Sequence, residues 1–364
     1  MAEQVRDLAT LPKAHLHLHF TGSMRPQTLV ELAAEHGMAL PRALTRDWPP
    51  ALTEAADARG WFRFQRLYDA ARLCVRSEAD MRRIVAEAAA DDAAEGSGWL
   101  ELQIDPTSYA PYVGGSVAAL DIVLDEAAAA TRRTGTGVGI IVAASRIRHP
   151  LEARTLARLA ARHAGDGPGT VVGFGLSNDE RRGHTPDFAP AFAIARRAGL
   201  LLAPHGGELL GPAAVAQTLD MLAPQRLGHG VRSVEDPRVL QRVIDAGVAL
   251  EVCPGSNVAL GIYARPPDVP LRDLIAAGAR VALGADDPLL FGSRLTEQYR
   301  SARHAHGLSD AELADLARSS VRASAAPEAL RTRMLEGIDA WLAAPPDGRR
   351  PSSPTAPDPR TRAR

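Results

Sequence analysis

Only two cysteines, Cys74 and Cys253, occur in the 364 residues. A disulfide framework is therefore excluded, and a reducing interior is the expected setting. A zinc site of the cytidine-deaminase kind needs a P-C-x-x-C pair, which two isolated cysteines do not supply. Lysine is scarcer still, Lys13 being the sole one. A barrel with two metals bridged by a carbamylated lysine would need a lysine at a middle strand end, so a single ion is the expectation for any metal site. Aromatic residues make up 4% of the chain against 46% hydrophobic residues, which leaves the core to Ala, Leu and Val. No G-x-G-x-x-G or Walker sequence is found, and no apolar stretch approaches the about 18 residues of a membrane span. The opening MAEQVRDLATLPKA lacks the basic-then-apolar pattern of a leader. Formal net charge is −1 and the basic residues form no stripe. Neither a nucleic-acid nor a membrane partner is expected; a cytoplasmic protein with a small-molecule partner is.

What the chain does have is a repeated pattern of short apolar runs, each followed by a longer Ala/Leu/Arg segment with helical spacing. Eight such runs begin at Ala14, Trp99, Gly137, Val171, Leu201, Arg226, Ala249 and Arg280. Eight βα units predict an α/β fold, a single (β/α)8 TIM barrel over residues 1–344. Between the first and second runs lies far more chain than one crossover helix needs, so two or three extra helices are expected there as a lid. Trp61, Phe62, Phe64 and Tyr68 fall in that insertion, as a hydrophobic flap over a flat substrate or as ordinary helix packing. Residues 345–364, rich in Pro, Ser and Arg, are expected to be a disordered tail.

Side chains alternate along a strand, so His15, His17 and His19 share one face, the barrel interior. Imidazole is the commonest zinc ligand, and residues i and i+2 of a strand can grip one ion. His17 and His19 lie nearer the C-terminal end of the strand, where barrel active sites form; His15, deeper, is expected to support or pack. PHGGEL then offers His205 as a third nitrogen ligand, with Glu208 a carboxylate close to the metal without binding it. GHG sets His229 between glycines that permit close approach. GADDP presents two adjacent carboxylates that diverge, Asp286 towards the metal and Asp287 towards substrate.

Together LPKAHLHLHFTGS, PHGGEL, RLGHGV, EVCPGSN and LGADDPLLF resemble the adenosine deaminase family of the amidohydrolase superfamily, in order from Leu11 to about Trp341. The resemblance implies one zinc ion held by His17, His19, His205 and Asp286, with Glu208 as the acid that protonates the purine ring. It also implies His229 and Asp286 as the groups orienting and deprotonating the attacking water, and Asp287 as partner of the five-ring nitrogen. SNDE from Ser177 matches a segment whose backbone amide meets the purine, with Asn178 where the family usually has Gly. Gly207 joins the expected substrate contacts.

Family members usually carry an acidic residue and Gly where this chain has Thr21 and Gly22, and that carboxylate holds the ribose 5′-hydroxyl. A shorter neutral Thr21 leaves space for a 5′-extended nucleoside such as aminodeoxyfutalosine, an intermediate of one route to menaquinone. The expected activity is therefore hydrolytic deamination of a 6-aminopurine nucleoside, with the extended substrate favoured. Adenosine or 2′-deoxyadenosine of purine salvage, free adenine, and a nucleoside-binding protein without catalysis are the alternatives.

Overall fold

The computed structural model describes residues 6–345. All but the first residue of the expected tail therefore lies outside the described residues. Eight strands follow one another: β1 (Lys13–His19), β2 (Ser97–Ile104), β3 (Gly137–Ser145), β4 (Val171–Ser177), β5 (Leu201–Gly206), β6 (Arg226–His229), β7 (Ala249–Val252) and β8 (Arg280–Leu283). Neighbours in sequence are neighbours in the sheet and all pairs are parallel. The ring closes where Leu18 bridges Asp286. There the His19 N–H donates to the Asp286 carbonyl at 3.0 Å and the Asp286 N–H to the His17 carbonyl at 2.9 Å. The (β/α)8 barrel expected from the eight apolar runs is thus the fold.

Both faces of the strands are buried, one in the barrel interior and the other beneath helices. On β1, His15 and His17 alternate with Leu16 and Leu18, and all four are buried. Helices such as Pro150–Arg162, Pro212–Leu222 and Pro237–Asp245 return the chain between strands. Each opens on a proline, whose missing N–H costs nothing in a first turn.

The segment between β1 and β2 holds the extra helices, α1 (Pro26–Glu35), α2 (Ala58–Arg72) and α3 (Glu78–Ala94). The Asp57 side chain caps α2 by accepting from the Gly60 N–H, and Ser77 with Asp80 forms a capping box for α3. Trp61, Phe64 and Tyr68 recur at helical spacing on α2 and line the barrel mouth. Phe62 points away and is 63% exposed. Flap and packing are the same residues here: Phe64 stacks on Phe291 with centroids 5.9 Å apart while also facing the cavity. Among the described residues no helix is long and apolar enough to cross a membrane.

Candidate active site

The C-terminal ends of β1, β4, β5, β6 and β8 converge on one open cavity. His19, His205, Glu208, His229, Asp286, Asp287 and Asn178 line it. His17 lies directly behind, its ring centroid 4.8 Å from those of both His205 and His229. Donor atoms of His17, His19 and His205 lie within 4.8 Å of one another, as do those of His17, His229 and Asp286.

These donors fit a metal on two counts. His17 Nε2 and His205 Nε2 are buried without a hydrogen-bond partner, a costly state unless something binds them. Two ligand atoms about 2.1 Å from a tetrahedral zinc stand roughly 3.4 Å apart, and Asp286 Oδ1 is 3.6 Å from His17 Nε2 and 3.2 Å from His19 Nε2. Lys13, at the opposite end of β1, donates through Nζ to the Leu8, Leu11 and Glu95 carbonyls and takes no part.

Behind the donors runs a buried chain of charge. Glu251 on β7 accepts from His17 Nδ1 at 2.7 Å, which fixes the tautomer that leaves the Nε2 lone pair facing the cavity. Arg226 on β6 pairs with Glu251 at 2.6 Å and with Glu101 on β2, and Glu101 also accepts from Trp99 Nε1 at 2.9 Å. His15 bridges Asp92 of α3, 3.0 Å from its Nδ1, and the Ala285 N–H, which donates to its Nε2 at 3.0 Å. It supports the Asp286 turn, in line with its deeper position in the strand. Sequence reasoning singled out neither Glu251, Arg226 nor Glu101. The signal was present only as charged residues inside apolar runs.

Electrostatics separate the titratable groups. Burial, reinforced by the Asp286 and Glu180 charges, pushes the Glu208 carboxyl well above the usual range, which favours its protonated form. Burial also brings His229 down to about 3, leaving a neutral imidazole. Asp287 is raised by burial and by Asp286, whereas Asp286, against its own burial, is held well below the carboxylate range by the facing imidazoles of His17 and His19. His229 Nε2 stands 3.6 Å from Glu208 Oε1 and 3.9 Å from Asp286 Oδ2.

Three of these residues sit in the left-handed backbone region: Asn178 at φ 78, His229 at φ 65 and Asp286 at φ 63. Such strain concentrates at functional sites. Asn tolerates that region better than most residues, which suits Asn178 to the turn.

Thr21, Gly22 and Gly207 are not among the cavity-lining residues. Thr21 is buried and its Oγ1 lies 2.6 Å from the Tyr109 hydroxyl, so it opens no free space. Gly22 packs beneath Asp287, where a Cβ would stand 1.8 Å from Asp287 Oδ1 and 2.7 Å from its Cα. Gly22→Ala is accordingly expected to displace Asp287, lowering stability by about 1–3 kcal/mol and kcat/KM by at least about tenfold; thermal melts and steady-state kinetics check both. Gly207 turns its N–H to Glu180, not into the cavity. Gly228 has a different reason: a Cβ there would meet the His205 ring at 2.5 Å and the His17 ring at 2.9 Å.

Comparison with known proteins agrees with this geometry. The adenosine deaminase family model matches residues 12–341. A putative adenosine/adenine deaminase of Streptomyces virginiae is 62% identical over 93% of this chain and 99% of that protein. An adenine deaminase of Agrobacterium fabrum is 35% identical over 89% of this chain and 97% of that protein. Among solved structures, the adenine deaminase of Arthrobacter aurescens superposes with a TM-score of 0.83 at 29% identity, covering 92% of this chain and 99% of the other. Matched over almost its whole length in sequence and fold, the chain belongs to the adenosine deaminase family.

Proposed function

We propose that this protein is a zinc-dependent hydrolase that exchanges the 6-amino group of a purine for oxygen, with release of ammonia, on a nucleoside extended at its 5′ end. The observation that carries the reading is Glu208, buried and with its pKa pushed up, in one cavity with the donors His19, His205 and Asp286 and with His17 directly behind them. Those four donors would hold one zinc ion. When bound, zinc supplies Lewis acidity that brings the pKa of a ligated water towards about 7.

The chain's own residues do the rest. Glu208 donates its proton to the ring nitrogen next to the amino-bearing carbon, making that carbon electrophilic. Neutral His229 and ionised Asp286 orient the attacking water and take its proton. The C–O bond forms first, leaving the ring carbon tetrahedral; the amino nitrogen then receives the proton taken from the water and leaves as ammonia as the C–N bond breaks. Asp287, whose protonated form burial favours, donates to the five-ring nitrogen, and the Asn178 turn meets the purine edge. The aromatic face of α2, with Trp61, Phe64 and Tyr68, covers the mouth and excludes water.

An extended substrate is supported by the side chains of one cavity wall. Tyr68, Tyr109 and Arg72 line the wall backed by Thr21; Arg72 is the arginine in that lining, with its Nη2 paired to Asp69 at 2.6 Å and its Nη1 3.4 Å from Ser108 Oγ. Aminodeoxyfutalosine, with its 5′ benzoate, suits that wall. A second reading, free adenine, is favoured by the adenine deaminases among the relatives and by the engagement of the Thr21 hydroxyl with Tyr109.

Ammonia release from adenosine, 2′-deoxyadenosine, adenine, methylthioadenosine and aminodeoxyfutalosine separates the readings. The expected result is a kcat/KM on aminodeoxyfutalosine at least about tenfold above the rest, equivalent to about 1.4 kcal/mol in the transition state. Arg72→Met should remove that advantage and spare adenine. A preference for adenine would overturn the extended substrate while leaving the deaminase reading intact.

A further inference from the structure

One buried carboxylate near the cavity has no part in the chemistry above. Glu180, in the turn after β4, is 5% exposed and accepts four consecutive backbone N–H groups. Gly207 donates to its Oε1 at 2.6 Å, while Glu208, Leu209 and Leu210 donate to its Oε2 at 3.0, 2.8 and 2.9 Å. These four amides are the whole turn that follows β5 and carries Glu208. Successive amides converging on one point form an anion-binding concavity, and here the anion is a side chain of the same protein. Hydrogen bonds from N–H groups to an ionised carboxylate are shorter and roughly twice as strong as neutral ones. The turn is held from its other side as well: Arg232 donates from Nη1 to the Leu209 carbonyl at 2.7 Å and from its backbone N–H to the Gly207 carbonyl at 3.0 Å.

We infer that Glu180 is a positioning residue for the reaction, clamping the 207–210 turn so that the Glu208 carboxyl is held in proton-transfer reach of the bound purine. The inference rests on Glu208 acting as the acid. A clamp of this kind differs from a merely structural tie because its effect is confined to the step in which Glu208 participates. Misplacing a catalytic group by about 1 Å costs about 100-fold in rate. Replacing one oxygen of Glu180 by an amide NH2 sets donor against donor and releases at least one of the four amides.

The test is a double-mutant cycle between Glu180→Gln and Glu208→Gln, measured on the zinc-loaded full chain with whichever of adenine, adenosine or aminodeoxyfutalosine is turned over fastest. Glu180→Gln is expected to lower kcat by about 10- to 100-fold with KM within about twofold. In the Glu208→Gln background the same change should cost less than about twofold, because the group it positions is already gone. Additive losses, a rise in KM at unchanged kcat, or no loss at all would each overturn the role of Glu180. A wild-type kcat in Glu208→Gln alone would instead sink the acid assignment. Should Glu180→Gln fail to fold, Arg232→Met loosens the same turn from its partly exposed side and is expected to give the same kcat-specific, Glu208-dependent loss.

Discussion

Replacing Glu208 with Gln is expected to lower kcat by about 10²- to 10⁴-fold, the range that a positioned general acid contributes, while bound zinc and the melting temperature stay near wild type. Gln keeps the shape and a donor N–H but has no proton to give. The wild-type profile carries a second signature. Burial and the neighbouring Asp286 and Glu180 charges raise the Glu208 pKa, and in the proposed mechanism the protonated form is the working one, so kcat is expected to fall as pH climbs through that raised value. The variant should lose this alkaline limb along with the rate. A near-wild-type kcat, or an alkaline limb that persists unchanged, would remove Glu208 from the acid role.

The second large effect belongs to Asp286. Its carboxylate lies within 3.6 Å of His17 Nε2 and 3.2 Å of His19 Nε2, and its backbone closes the barrel between β1 and β8. Asp286→Asn tests the side chain with little backbone penalty, since Asn accepts a φ of 63 that would strain Ala. The expected loss of zinc affinity exceeds the about 10- to 100-fold typical of removing an outer partner of a metal ligand, and activity falls with it. Metal analysis after dialysis against a buffered zinc concentration reads the effect; occupancy equal to wild type would mean that Asp286 is not a ligand.

The fold was written plainly in the sequence because a barrel repeats its signal. Eight apolar runs with turn residues between them mark all eight strands, although the ladders of β6, β7 and β8 end before the glycine, cysteine and aspartate residues that follow them. At those ends the chain turns out of the sheet, as the positive φ of His229 and Asp286 requires. His17, His19, His205, Glu208, His229, Asp286 and Asp287 were legible as candidates because each falls at a strand end, and the structure brings them together around one cavity.

Less legible was what supports them. His17 and Glu251 are 234 residues apart, and Arg226 and Glu101 are 125 apart. A charged residue in a strand reads as solvent-facing until the fold supplies its partner. Glu180 was similarly hidden, since its partners are backbone amides that carry no residue identity. Thr21 shows the opposite failure. Its small neutral side chain suggested space, but Tyr109, reached only after β2, takes up the hydroxyl. Tyr68, Tyr109 and Arg72 line the cavity there, a wall assembled from the insertion and the loop after β2.

The measurement that bears most directly on the account is zinc-dependent ammonia release: metal-stripped protein is titrated with zinc in the presence of adenine, adenosine and aminodeoxyfutalosine. The account predicts negligible release before zinc, saturation near one ion per chain, and conversion of at least one substrate to its 6-oxo product. Full occupancy of the site without deamination of any of the three would contradict it.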